Sequence, residues 1–229
     1  AAAGHSLGEY SALVAAGALS FADAVTTVHL RGKFMQEAVP LGEGGMAAVI
    51  GLAPEAIVDV CAKVSETAGR VQAVNFNCPG QTVIAGATKA VEAACTALKE
   101  AGAKRAIMLK VSAPFHSTLM EPAAARLKEV LDKIDIHDAA IPVIANVNAK
   151  EETKADEIRD NLIMQAAHPV HWEESVRHMI AEGYDTYVEA GPGTVLSGFM
   201  RKIDRAQTSM HAEDIATVED VVNKIKGEN

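Results

Sequence analysis

Ser6 sits between two glycines in the stretch Gly4-His5-Ser6-Leu7-Gly8-Glu9-Tyr10. The G-x-S-x-G spacing is that of a sharp strand-to-helix turn that lifts a serine hydroxyl clear of the backbone, so nucleophilic acyl chemistry is what it suggests first. The glycines leave room for the tight turn and for the close approach of strand and helix. Leu7 opens the helix, so its N–H has no partner within the helix and lies at the positive end of the helix dipole. That makes it a candidate oxyanion donor. The same pattern also occurs as an ordinary glycine-and-serine turn, and the chemistry depends on partners for Ser6.

A serine nucleophile needs a base. Among the eight histidines, His116 lies in the loop Ser112-Ala113-Pro114-Phe115-His116-Ser117, just past a strand end, where α/β sites gather. A surface-loop histidine is the plain alternative. His5 adjoins the nucleophile and is the next candidate base, against a reading as a packed or hydrogen-bonded neighbour. His29 and His178 lie within helices, and His137, His168 and His171 at helix or turn boundaries, where each reads as structural or solvated. No carboxylate is marked by its position as the group that orients the base. Arg31 lies at the edge of a helical stripe, where its stem can pack while its guanidinium reaches a cleft. On spacing alone the solvated helix arginine takes precedence for that residue.

The elements that must carry these groups follow from periodicity. Leu7 to Ala16 reads as a short buried helix ended by Gly17. Ser20 caps a second helix with Asp23 in capping-box register, and its stripe runs Val25, Val28, Gly32, Met35 and Val39. From Gly42 the texture changes. Met46 to Ile50 reads as a strand, Pro54 starts a helix, and Ile57, Val60, Cys61 and Val64 keep helical spacing. Val71 to Phe76 and Thr82 to Ala85 read as strands around the turn Asn77 to Gln81. Val91, Ala94, Cys95 and Leu98 mark another helix, ended by Gly102, and Ala106 to Val111 a last strand. This βαββαβ order is the split ferredoxin-like arrangement and fits a compact inserted subdomain.

Beyond the 112–117 loop the pattern predicts a helix over about 120–134, a strand at Ile141 to Val147 and a helix at Ile158 to Ala167, broken by His168-Pro169. A helix from Trp172 to Ala181 and a strand from Tyr184 to Glu189 follow. The next helix begins at Thr194. A last one begins at Thr217, with Asp220 in capping register, and buries Val218, Val221, Val222 and Ile225. Strands alternating with helices imply a mostly parallel sheet covered on both faces, an α/β fold split by the insert.

The chain has 229 residues, 49% of them hydrophobic and 22% charged, enough to bury a substantial core. Twenty-one basic against 30 acidic residues give a net charge of −9, which argues against nucleic acid as a partner. Cys61, Cys78 and Cys95 show no metal or redox spacing and read as free thiols of a reducing, cytoplasmic compartment. No apolar run approaches a membrane span, and no signal segment is evident. Ala1-Ala2-Ala3 supplies only the end of the strand that the elbow needs, so an N-terminal portion before Ala1 is expected.

Four ordered motifs, GHSLGEY, the helical Arg31, Asn75-Phe76-Asn77-Cys78-Pro79-Gly80-Gln81 and Pro114-Phe115-His116-Ser117, together resemble the malonyl-CoA:acyl-carrier-protein transacylase family of fatty-acid synthesis. The acyltransferase domains of polyketide synthases share the pattern, and the likeness runs over essentially the whole chain. The resemblance implies an α/β-hydrolase-like catalytic domain, residues 1–41 and 112–229, interrupted by a ferredoxin-like subdomain at 42–111. Position by position it makes Ser6 the acylated nucleophile, His116 its base and the Leu7 N–H one oxyanion donor. Arg31 matches the residue that binds the malonyl carboxylate, and Gln165 one whose backbone carbonyl orients the histidine. The resemblance sets His5 and Phe115 at the substrate, Phe115 as in malonyl-selective members, with Asn75 and Asn77 as substrate-adjacent candidates. It implies malonyl-CoA and acyl carrier protein as partners, a coenzyme A thioester as substrate, and no metal or permanently bound cofactor. The family's second oxyanion donor comes from a glycine- and glutamine-rich loop that this sequence does not include.

Two other classes use the same features differently. A serine hydrolase would follow the order Ser, Asp or Glu, His, with Asp185 and His211 in those roles, and would leave Arg31 and the PFHS loop unexplained. A non-catalytic binding module would leave Ser6 unlabelled by malonyl-CoA.

Overall fold

A computed structural model describes residues 1–111 and 113–227; Ser112, first of the expected loop, lies outside them. The chain forms two compact units, Ala1–Ser175 and the segment from Val176 onward.

In the first unit, β1 (Ala2–Ala3) runs directly into the Ser6 turn and α1 (Leu7–Ala15). α1 stops where Gly17 takes φ 74°, as the glycine predicts. α2 (Phe21–Glu37) is capped by the Ser20 hydroxyl, which accepts from the Asp23 N–H at 3.0 Å. Its buried face is Ala24, Thr27, Arg31, Phe34 and Met35 rather than the stripe predicted from valines, and Val25 is 47% exposed. The true face is rotated because it contains two polar residues that a hydrophobicity pattern assigns to solvent.

Four antiparallel strands follow in the order β3-β4-β2-β5: β2 (Gly44–Ile50), β3 (Val71–Cys78), β4 (Gln81–Ala87) and β5 (Arg105–Met108). α3 (Pro54–Ala68) and α4 (Thr88–Glu100) bury Ile57, Cys61, Val91, Ala94, Cys95 and Leu98 against this sheet. The hairpin is tighter than expected. Asn77 and Cys78 belong to β3, Gln81 to β4, and Gly80 supplies the positive φ of a two-residue turn. Bulges between Ala73 and Asn75 and between Phe76 and Cys78 interrupt the alternation of β3, which re-aims side chains. The expected strand to Val111 ends at Met108.

A 3₁₀ turn at Thr118–Met120 leads into α5 (Glu121–Leu131), shorter than the predicted 120–134. The predicted strand at 141–147 shrinks to β6 (Val143–Ile144), which pairs in parallel with β1 and antiparallel with β7 (Glu151–Glu152). The chain turns at 145–149, where the Ala149 N–H reaches the Ala145 carbonyl at 3.0 Å, and this turn brings Asn146 beside Ser6. α6 (Ala155–Gln165) and α7 (Trp172–Ala181) follow. Tyr10, Leu13, Phe34, Met120, Leu127, Ile158 and Leu162 form the core among α1, α2, α5 and α6.

The second unit contains β8 (Thr186–Ala190), α8 (Val195–Ile203), β9 (Thr208–Ala212) and α9 (Ile215–Lys226), with β8 and β9 parallel. β9 was not anticipated. The predicted cap of the last helix is also displaced. Asp214 is its N-cap, and Thr217, at the third helical position, returns the hydrogen bond in a reciprocal box. Only Val221 of the four predicted core residues is buried, while Val218, Val222 and Ile225 are exposed. Parallel pairing among the described residues is confined to β1 with β6, β8 with β9 and one bridge from Asn75 to Val170. The four-stranded antiparallel sheet lies within residues 42–111; outside them, where the mostly parallel sheet was expected, the described residues hold only short pairings, β1 with β6 and β8 with β9 parallel and β6 with β7 antiparallel.

Candidate active site

The elbow is built as its glycines suggest, but the two are not equivalent. A Cβ on Gly4 would overlap the backbone of Gly8, whereas one on Gly8 would meet nothing. Ser6 takes φ 52° and ψ −104°, a conformation few non-glycine residues adopt, at a cost of about 1–3 kcal/mol. Three hydrogen bonds over-determine it. The Ser6 N–H donates to Asn146 Oδ1 at 2.6 Å, Asn146 Nδ2 to the Gly4 carbonyl at 2.7 Å, and Gln165 Nε2 to the Ser6 carbonyl at 2.8 Å.

Ser6 Oγ lies 2.7 Å from His116 Nε2 and accepts from Arg31 Nη2 at 2.9 Å. His116 Nδ1 donates to the Gln165 backbone carbonyl at 2.8 Å, so Nε2 carries the lone pair that faces the serine hydroxyl. That carbonyl is available for a reason readable in the chain. In a continuing helix its partner would be the N–H of the residue four positions on, and that residue is Pro169, which has none. The His116 loop is closed by Ser117 Oγ donating to the Pro114 carbonyl at 2.7 Å. Gly44 has no side chain because the Pro114 ring occupies that space.

Arg31 is 6% exposed. Its guanidinium also donates to Gln165 Oε1 at 2.9 Å and lies 5.7 Å from the centre of the Tyr10 ring, while Nε has no hydrogen-bond partner. A buried cation beside the Ser6 hydroxyl is a candidate to take an anion, and its fork suits a planar carboxylate. His5 Nε2 donates to Asn77 Oδ1 at 2.9 Å, with Trp172 beside the imidazole at 5.6 Å between ring centres. Asn75 is buried, with Oδ1 unpartnered. Phe115 is half-buried and packs against Met46, Val74, Val83 and Ala85. It lines a cavity of about 590 Å³ with Leu41, Gly42, Gly44, Lys110 and Val111. Neither Phe115 nor Asn75 joins the hydrogen-bonded group that unites Ser6, Arg31, His116 and Gln165. Leu7, first residue of α1, is half exposed.

Burial, then the Arg31 charge, push the His116 imidazole down to about 3, so it is neutral and basic in form near pH 7. Burial likewise lowers His5, opposed by its bond to Asn77. Two residues essential to this arrangement escape motif reasoning. Asn146 is the lone polar side chain inside an apolar run, which is its only signal. Glu9, completely buried, accepts from the Asn146 N–H at 2.9 Å and from Gln165 Nε2 at 3.0 Å. Burial pushes its carboxyl well above the usual range, against the pull of Gln165, Asn146 and Arg31. Asp185 and His211 engage other groups, Asp185 accepting from its neighbour Thr186 and His211 facing Glu213.

Known proteins share this architecture. The family model described as an acyl transferase domain matches residues 1–226. The malonyl CoA-acyl carrier protein transacylase of Bacillus subtilis strain 168 is 56% identical over 227 residues, covering 99% of this chain and 72% of that protein. The protein of the same name from Escherichia coli K12 is 54% identical over 202 residues, 88% of this chain and 65% of its own length. This chain thus spans about two thirds to three quarters of these curated relatives. The acyl-carrier-protein S-malonyltransferase of Burkholderia pseudomallei 1710b superposes with a TM-score of 0.94 at 47% identity, over 96% of this chain and 72% of that one. A malonyl-transacylase solved in complex with its type II polyketide-synthase acyl carrier protein gives 0.94 at 46% identity, over 97% and 72%. With a serine elbow, a histidine on its hydroxyl and a buried arginine on a matching α/β fold, the chain belongs to the acyl transferase domain family.

Proposed function

We propose that this chain transfers the malonyl group of malonyl-CoA to the phosphopantetheine thiol of acyl carrier protein through a malonyl ester on Ser6, in fatty-acid synthesis. The observation that carries this reading is the Arg31 Nη2 hydrogen bond to Ser6 Oγ at 2.9 Å. Malonate places its free carboxylate one methylene from the reacting carbonyl, so the cation that holds it must stand within a few ångströms of the nucleophile. An enzyme for neutral acyl groups has no use for a desolvated guanidinium there. The transacylase names of the relatives, and the one solved with its carrier protein, support the same reading.

Each residue then has a role. His116 Nε2 takes the Ser6 proton as Oγ attacks the thioester, and the Leu7 N–H at the start of α1 stabilises the oxyanion. The coenzyme A thiolate leaves with that proton. The carrier-protein thiol attacks the malonyl ester, with His116 again as base. Arg31 binds the carboxylate through its guanidinium, each charged hydrogen bond being worth about 1.5–3 kcal/mol. His5, Asn75, Asn77 and Phe115 border the acyl and thiol paths. Ser6, His116 and Arg31 supply nucleophile, base and cation, so the reaction needs no resident cofactor. The reading further takes residues 42–111, with their β3-β4-β2-β5 order, as a ferredoxin-like subdomain inserted into an α/β-hydrolase-like domain of residues 1–41 and 112–229. The location is cytoplasmic, in keeping with three cysteines that remain thiols.

Incubating the native protein with malonyl-CoA and no acceptor should add one malonyl group to the peptide containing Ser6. Ser6→Ala should abolish the adduct and lower turnover by several orders of magnitude, up to about 10⁶. A stable adduct elsewhere, with Ser6 unmodified, would contradict the mechanism.

A further inference from the structure

We infer that Glu9 is a positioning residue of this site, and that it takes up a proton when a carboxylate-bearing acyl group occupies Arg31; the inference rests on the malonyl reading above. Glu9 touches no reacting atom. Its Oε2 accepts both the Asn146 N–H and Gln165 Nε2, and those two residues hold the rest of the site. Asn146 fixes the Ser6 N–H and the Gly4 carbonyl. Gln165 fixes the Ser6 carbonyl, shares Arg31 Nη2 with Ser6, and presents its backbone oxygen to His116. One carboxylate oxygen therefore sets the register of nucleophile, base and cation together.

The other oxygen, Oε1, is buried and has no hydrogen-bond partner. The charged and titratable groups that face Glu9 are Arg31 from α2, Tyr10 on α1 and Glu152 on β7. Glu152 likewise has a buried Oε1 without a partner, while Asn161 Nδ2 donates to its Oε2 at 2.7 Å, and Glu157 acts on it from α6. In the free site Arg31, one amide away through Gln165, is the cation that favours the charged form of Glu9. Once a malonyl carboxylate pairs with Arg31, that support is neutralised and a new negative charge enters the same dry region. The carboxyl then takes a proton from solvent at Oε1, while Oε2 keeps both of its donors. The clamp survives in either charge state, and the proton follows the substrate. Acylation itself is proton-neutral near pH 7, because the Ser6 proton leaves on coenzyme A as a thiol.

The test mixes the native protein with malonyl-CoA or acetyl-CoA in weak buffer containing a pH indicator, with the adduct counted by mass spectrometry. Malonyl transfer should consume about 0.2–0.8 proton per adduct between pH 6.5 and 7.5, and acetyl transfer none. E9Q should lose the uptake and lower kcat about 10-fold or more, with a smaller change in KM. E152Q keeps Glu9 and replaces a carboxyl that burial already holds protonated, pushed up to about 9, so its uptake should be retained in the same window; it carries the test if E9Q does not fold. Equal proton counts for the two thioesters, uptake retained in E9Q, or uptake lost in E152Q would overturn the inference. No malonyl adduct at all would overturn the malonyl reading, and this inference with it.

Discussion

His116 is held by a main-chain oxygen rather than a carboxylate, and this sets its chemistry. The Gln165 carbonyl fixes the tautomer but adds no full negative charge, while burial and Arg31 favour the neutral ring. In the proposed role of base, the ring is therefore ready at pH values where an ordinary histidine is protonated. The sign is direct: a lowered value moves the acid limb of the rate profile to lower pH. Between pH 7 and 5.5 an unperturbed histidine would lose about 8-fold in its neutral fraction. Here kcat/KM for malonyl-CoA should not fall over that range, as measured by initial rates of the native protein. A clear inflection near pH 6.5 would contradict it. That Ser6 and His116 lie together was readable from motif and loop position, and the nearness of Arg31 only through family likeness. Its surroundings on α2 look like those of a solvated arginine until the burial of Thr27 and Phe34 shows which face turns inward.

At the scale of elements, the turn from β1 into α1 is the most constrained piece of the site. Gly4→Ala would drive a methyl group into the Gly8 backbone, so the elbow must open or Ser6 must leave its strained conformation. We expect a loss of at least about 2 kcal/mol in stability, and of most Ser6 acylation, readable by thermal melting and by adduct formation. Gly8→Ala meets no atom and should cost far less. Helices with a regular apolar face, such as α3 and α4, were legible from spacing. Elements shaped by polar work were not. The expected strand at 141–147 gives way to a turn because Asn146 must reach Ser6. β3 breaks its alternation in two bulges, at the segment that carries Asn75 and Asn77. The α9 start was misplaced because Thr217 and Asp220 imitate a capping box, whereas Asp214 and Thr217 form the real one.

For the molecule as a whole, the βαββαβ order of residues 42–111 was legible because its helices and strands alternate cleanly. The α/β class was legible for the same reason. The extent of the sheet outside that segment was not, since the strand expected at 141–147 pairs with β1 only at Val143 and Ile144. Function at this scale comes down to which acyl group the site accepts, and the proposed reading makes Arg31 the residue that decides it. Acetyl-CoA brings the buried guanidinium no anion, whereas malonyl-CoA supplies one. Arg31→Ala should therefore weaken malonyl use and lift the penalty on acetyl, with Arg31→Lys recovering only part of the discrimination because a point charge lacks the fork. The direct measurement is kcat/KM for malonyl-CoA and acetyl-CoA in the native protein and in Arg31→Ala. The malonyl-to-acetyl ratio should fall at least ~10-fold, the effect of about 1.4 kcal/mol; an unchanged ratio would contradict the assignment of Arg31 as the carboxylate anchor.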